Sequence, residues 1–385
     1  MVSGKVGEDR APQRPRPTSE VPSTRLVSLD AFRGATIALM VLVNNAGSGR
    51  DAYPPLDHAE WHGWTITDTV FPSFLWIVGV AITLSLGKRL AAGTPKSQLM
   101  LQAARRAAVL FIFGLLVYAF PHFNLGTQRI LGVLQRIAIC YLIASAIFLY
   151  SGVRAQILWI VGLFAAYWML MTLVPVPGFG PGRLDVAGNF AHYVDNMVLG
   201  AHNYAHTKTW DPEGVVSTLP SIATALFGIL AGHILRLKKP LSERTTWLFL
   251  TGSLLLAAGL ICSAWLPINK KLWTDSFAMF MAGLDFIVFA IFVWLVDGVG
   301  WQRPVRPLVI FGMNAIAAYM VSEGLAEFLG SVKVGDGSLQ EYIYRAVFVP
   351  LASPANASLL YSLAFVLVIY AVAYLMYRRG WFLKV

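Results

Sequence analysis

Ten apolar runs divide this chain, near residues 28–46, 67–87, 105–121, 130–150, 155–174, 216–236, 245–266, 275–297, 307–329 and 357–377. A helix needs about 20 mostly apolar residues to cross the hydrocarbon of a bilayer, and every run comes close to that length. The pattern predicts an all-α fold: a polytopic integral membrane bundle of about ten transmembrane helices, with both termini on one side. Residues 1–24 are polar and rich in Pro and Arg, without an apolar core, and are expected to form a disordered tail. That leaves 25–385 as the transmembrane domain. No cleavable leader is expected, because the first run carries Arg33 and no small-residue cleavage site follows it. The longest connection runs from Val174 to Val216, is rich in Gly, His and Asn, and shows no obvious element of its own. A connection of that length is expected to be a binding loop or a lid.

Composition changes the picture only in confirming the class. Hydrophobic residues make up 57% of the chain and charged residues 13%, with a mean hydropathy of +0.62; soluble domains are about 25% charged. The net charge of +10 would suit a nucleic-acid partner, but its distribution excludes one. With the tail placed in the cytoplasm, 20 of the 30 Lys and Arg residues fall on cytoplasmic segments and eight in outer loops, the bias that orients membrane proteins. Both termini are therefore expected in the cytoplasm. Cys140 and Cys262 sit in apolar runs without metal-ligand spacing, which points to packing and to no metal site.

Polar side chains inside or at the ends of spans are costly in lipid and are functional candidates for that reason. They gather at two depths. At the outer face stand Asn44 and Asn45, the loop residues His58, Trp61 and His62, and Asp68 in a Thr65-x-x-Asp68 capping pattern. Gln135, Arg136 and Glu323 lie in the outer thirds of their spans, with Asp211, Glu213, Asn269 and Lys270 in outer loops. At the cytoplasmic face stand Asp30 and Arg33, three apart on one helix face, with Arg105 and Arg106 expected to open the third helix. Asp285 lies alone near the middle of the eighth run. It is open to two readings: a structural partner such as Arg136, or a role facing substrate.

Several of these residues fall in motifs. SLDAFRG (Ser28–Gly34), VNN (Val43–Asn45), HAEWHGWTITDTVFPSF (His58–Phe74), GVLQR (Gly132–Arg136), WDPEG (Trp210–Gly214), INKKLWT (Ile268–Thr274) and GMNAIAAYMVSE (Gly312–Glu323) occur in that order. Together they resemble the transmembrane core of the heparan-α-glucosaminide N-acetyltransferase family over most of residues 25–380. The family's large lumenal domain before the core has no counterpart in this sequence, so the resemblance implies a bacterial-type member of an inner (plasma) membrane.

The resemblance implies an acyltransferase that uses acetyl-CoA as co-substrate and a glucosamine-type amino sugar as acceptor; a homodimer is compatible with it. It also implies that His58, of the HA-x-W motif, and Asn44, of the VN motif, form the catalytic pair. The chemistry fits. Transfer from a thioester to an amine needs a base for the amine proton and donors for the developing oxyanion. Histidine is the side chain whose unperturbed pKa lies nearest neutrality, and an Asn amide can donate to the oxyanion. His58 could instead take the acetyl group covalently. Asp68 joins them as a catalytic candidate, with helix capping as its plain alternative. For the donor the candidates are Asp30, Arg33, Arg105, Arg106, Gln135 and Arg136, since the planar guanidinium fork suits phosphate; for the acceptor they are Asn45, Trp61, Asp211, Glu213, Asn269, Lys270, Asn314 and Glu323. An amino-sugar transporter and an O-acetyltransferase of a cell-envelope glycan remain as alternative readings.

Overall fold

The computed structural model describes residues 26–121 and 123–383, so the expected tail at 1–24 lies outside the described residues. The helices follow the apolar runs closely: α1 (Val27–Asn44), α2 (Val70–Ala91), α3 (Lys96–Ala119), α4 (Val133–Tyr150), α5 (Val153–Leu173), α6 (Phe190–Leu199), α7 (Thr218–Leu235), α8 (Leu241–Cys262), α9 (Asp275–Phe292), α10 (Gln302–Met313), α11 (Ala315–Ser331), α12 (Leu339–Ile343) and α13 (Pro354–Arg378). Among the described residues nine helices are long and apolar enough to cross a membrane, and α10 with α11 make a tenth, broken span bent by 69°. The protein is an all-α polytopic membrane bundle. A two-residue hairpin, β1 (Lys333–Val334) with β2 (Gly337–Ser338), pairs Lys333 with Ser338 and Val334 with Gly337 beside α12.

Burial sorts the helices into two layers. α2 and α7 bury 72% of their most apolar stretch, α4 61%, and α1 and α9 56%, whereas α3, α5 and α8 bury 22% and α13 28%. The first five form the middle of the bundle and the last four its lipid-facing rim. Lipid tails are as apolar as leucine, so helices associate in a membrane through close backbone approach, which small residues permit. α2 and α7 meet in this way: a Cβ at Gly79 would stand 1.9 Å from the Ala225 carbonyl oxygen, and one at Gly228 1.9 Å from that of Trp76. α1 and α10 meet likewise, since a Cβ at Gly312 would stand 2.0 Å from the Asp30 carbonyl oxygen.

Four expectations change. The third helix starts at Lys96 rather than near 105, because Pro95 sets its start and the following KSQLMLQAA holds good helix formers with no breaker. Arg105 and Arg106 are therefore well inside α3 and do not open it. The ninth run is not one straight span but breaks at Asn314. The 174–216 connection is not featureless, since Asn189 caps α6 by accepting from His192 N at 2.8 Å. Asp285 pairs not with Arg136 but with Ser73 of α2, whose Oγ lies 2.5 Å from Asp285 Oδ1. Arg136 is already held from the other side of the bundle, donating to Gly214 O at 2.9 Å and to Ser217 Oγ at 2.5 Å.

Candidate active site

The loop between α1 and α2 is folded around one carboxylate. Asp68, in the 3-10 turn that leads into α2, is 1% exposed. Its Oδ2 accepts from Ala59 N at 3.1 Å, Thr65 N at 3.0 Å and Thr65 Oγ1 at 3.2 Å, while its Oδ1 stands 2.7 Å from His58 Nδ1. One oxygen thus pins the loop at Ala59 and Thr65 and the other positions the imidazole, while neither the turn nor α2 takes a side-chain cap from Asp68. An ionised carboxylate only accepts, so Nδ1 carries the proton, and in the neutral ring Nε2 keeps its lone pair. The His58 side chain is 43% exposed, open on the face where Asp68 does not hold it.

A second loop, 267–274, is pinned against the first. Gly63 N donates to Ile268 O at 2.7 Å, and Asn269 Nδ2 meets His62 Nδ1 at 3.3 Å. Asn269 spends its own carbonyl on Leu272 N at 2.9 Å, so it shapes this turn. The outcome is the placement of Lys270, whose Nζ lies 3.2 Å and 3.3 Å from the two ring nitrogens of His58 and 3.8 Å from Asp68 Oδ1. Burial holds the Lys270 amine below its ordinary pKa, with Glu213 and Asp68 opposing the shift. Burial also lowers His62.

Beside these loops lies a cluster centred on Arg129. Its guanidinium binds Asp211 through Nε at 2.8 Å and Nη2 at 2.5 Å, bonds Glu213 through Nη2, and donates from Nη1 to Tyr118 Oη at 3.2 Å. The rings of Tyr118 and Tyr204 stack on it, with centroids 5.0 Å and 4.5 Å away. One guanidinium cannot neutralise two buried carboxylates fully. Burial pushes Asp211 up against the pull of Arg129, whereas for Glu213 burial is outweighed by Arg129, Arg136 and Lys270 and the carboxyl stays low. Glu323 of α11 accepts from Asn44 Nδ2 at 3.4 Å and feels the charge of Arg129, so Asn44 borders the same cluster. Asn45 points the other way. It is buried, with Nδ2 on Val41 O at 2.8 Å and Ser322 Oγ at 3.3 Å. Trp61 ties the long connection down, donating to Leu184 O at 2.8 Å and packing edge-on against Trp210.

Asp195 of α6 anchors the WDPEG turn, accepting from Val215 N at 2.8 Å and Asp211 N at 3.3 Å. Gly214 is required here, since a Cβ would fall 2.0 Å from the Asp195 carboxylate. Burial, only partly offset by these two bonds, raises the Asp195 pKa to about 6. A raised carboxyl contributes stability that is fully present below about pH 4 and is lost as pH rises through about 6. Asp195→Asn is therefore expected to lose less stability than the parent between pH 4.5 and pH 7. Parallel thermal-unfolding midpoints for the two proteins in detergent across that window would contradict the assignment.

A cavity of about 400 Å³ runs inside the bundle between α1, α2, α3, α4 and the bend at Asn314. Arg33, Arg89 and Arg106 stand at one end; the walls are apolar, with Ile37, Ile77, Ile82, Leu110 and Ile137. Along α2 it extends from Arg89 to Phe74, about 22 Å of helix. At the other end Tyr319 lines it, and Tyr118 of α3 accepts from Arg129 Nη1. Arg106, stacked on Tyr141 at 5.1 Å, faces the cavity, while its neighbour Arg105 is exposed and does not line it. Asp30 sits behind Arg33, accepting from its Nη1 at 3.1 Å.

Two donor candidates lie elsewhere: Gln135 is fully buried against Gly114, and Arg136 is bound to the WDPEG turn and stacked on Trp273. Asn314, an acceptor candidate, lies apart from the other acceptor candidates. It is 1% exposed at the α10–α11 bend, accepting from Leu383 N at 3.3 Å, near the Arg33 end of the cavity. Arg89 and Arg129 are not among the sequence candidates and enter there only through the charge bias. Nothing near Arg129 in the sequence points to Asp211, 82 positions away. Among the described residues no three His, Cys, Asp or Glu side chains converge as metal ligands would.

Residues 25–252 match the family model described as heparan-alpha-glucosaminide N-acetyltransferase, catalytic. The chain is 31% identical to the human heparan-alpha-glucosaminide N-acetyltransferase, over 78% of this chain and 53% of that protein. Against the mouse protein of the same name the identity is 30%, over 80% of this chain and 54% of the relative. The chain thus spans about half the length of the curated relatives it matches.

Proposed function

This chain belongs to the heparan-alpha-glucosaminide N-acetyltransferase family, and from that premise we propose that it carries acetyl from acetyl-CoA at one membrane face to the amine of a glucosamine-type sugar at the other. The observation that carries the reading is the cavity: three arginines at one end, apolar walls along about 22 Å of α2, and Tyr319 at its far end. A hydrocarbon core is about 30 Å thick, so a largely neutral pantetheine arm can cover most of that depth while its phosphates stay with Arg33, Arg89 and Arg106. The charge bias supports a cytoplasmic position for this basic end and for both termini. The relatives' names supply the acceptor class and the transfer to nitrogen.

The side chains divide the work. Asp68 holds His58 in the tautomer that leaves Nε2 free, and Nε2 takes the amine proton as the new C–N bond forms and the C–S bond breaks. The proton then passes to the departing sulfur. Asn44 has an amide N–H to give to the developing oxyanion. Glu323 and Glu213 present carboxylates to an acceptor that carries ammonium and hydroxyl groups, with Lys270 and Trp61 completing that side. Asp211, Asn269 and Asn45 shape the site through their own bonds.

The test uses proteoliposomes of known orientation, with labelled acetyl-CoA on one side and glucosamine on the other. Product should form only with donor at the face where α1 begins, and Arg33→Ala with Arg106→Ala should raise the apparent KM for donor well above any change for sugar. Mass spectrometry of the product separates N- from O-acetylation. Equal rates with donor confined to the opposite face would sink the two-faced reading.

A further inference from the structure

We propose that Lys270 is a self-acetylation site, modified by the enzyme's own machinery when donor is bound and no sugar is present. The inference rests on the function proposed above. An acceptor amine must bring its nitrogen within hydrogen-bond reach of His58 Nε2, the atom that takes its proton. Lys270 Nζ already lies over the imidazole, 3.3 Å from Nε2 and 3.2 Å from Nδ1, so a small turn of the ring brings Nε2 to it. It is a primary amine on a flexible stem, and its side chain is 16% exposed. Burial lowers its pKa, which raises the fraction of free amine available at neutral pH.

The adjacent residue supplies an internal contrast. Lys271 turns away from the base and donates to the Glu60 carbonyl at 2.5 Å. Of these two neighbouring lysines only Lys270 has a basic nitrogen on hand to take its proton.

The step balances. Lys270 Nζ attacks the thioester carbonyl, the C–N bond forms and the C–S bond breaks, His58 Nε2 takes the Nζ proton, and that proton goes to the coenzyme sulfur, giving acetyl-lysine and free thiol. The product is an amide, which does not pass its acetyl group on. It also removes the positive charge that faces Asp68 at 3.8 Å and Glu213 nearby, and it leaves an acetamide over His58. The modified enzyme is therefore inactive, and acceptor sugar protects against the modification by occupying the same position.

The experiment incubates the purified full chain with deuterated acetyl-CoA and maps acetylation on a peptide containing both Lys270 and Lys271, with glucosamine acetylation measured on the same preparation. The deuterium separates new from pre-existing acetyl groups. In the folded protein the ratio of Lys270 to Lys271 labelling should exceed that of the detergent-unfolded chain at least tenfold, fall in His58→Ala, and fall when glucosamine is added. Activity toward sugar should decline in step with Lys270 labelling. Sugar acetylation with a Lys270 to Lys271 ratio like that of the unfolded chain overturns this inference alone. Failure of both sugar and Lys270 to be labelled overturns the function proposed above together with it.

Discussion

His58→Ala is expected to slow acetyl transfer by about two to four orders of magnitude, the usual contribution of a positioned general base. The fold should hardly notice. The His58 ring is 43% exposed, and Asp68 keeps its bonds from Ala59 N, Thr65 N and Thr65 Oγ1 when the imidazole is gone. The loss should therefore fall on kcat, with the thermal midpoint and donor affinity close to those of the parent. Steady-state kinetics together with a thermal melt in detergent separate these quantities. A variant that keeps more than a tenth of parental turnover would remove His58 from the base role and turn attention to His62, whose Nδ1 is held by Asn269.

Arg129→Ala should do the opposite, striking stability first. Arg129 is 10% exposed, facing Asp211 and Glu213 at 0% and 8%. Removing one partner of a buried ion pair leaves uncompensated charge and costs about 3–5 kcal/mol, and here two carboxylates are stranded. The stacked rings of Tyr118 and Tyr204 lose their cation as well. The turn that carries Asp211 and Glu213 is also anchored by Asp195, so damage should spread along the 174–216 connection. Adding Asp211→Asn and Glu213→Gln to Arg129→Ala should recover part of the loss, because it removes the stranded charges. An unchanged melting midpoint for the single substitution would show that the cluster is not held by this guanidinium.

The spans were legible in the sequence because crossing a bilayer is a local demand. A run near 20 apolar residues has no other comfortable environment, and neither its neighbours nor its fold need be known to recognise it. The two polar poles were legible for the same reason, since Arg33, Asn44 and Glu323 stand out against apolar runs whatever they touch. The SLDAFRG, HAEWHGW and WDPEG motifs named the family and drew attention to His58 and Asn44. None of this says which side chains meet. Lys270 reaches His58 across 212 positions of sequence, and Arg129 reaches Asp211 across 82; such pairings are fixed by how the helices assemble and leave no mark on local periodicity. The choice between Arg105 and Arg106 was decided by how α3 packs, which turns Arg106 to the cavity and leaves Arg105 exposed on the outside of the bundle. Asp285 found Ser73 rather than Arg136 because α9 packs beside α2, while the WDPEG turn had claimed Arg136. The bend at Asn314 likewise depends on packing: α10 is held against α1 where Gly312 meets the Asp30 carbonyl and Gly34 meets Leu308, and this packing carries Asn314 to the basic end of the cavity.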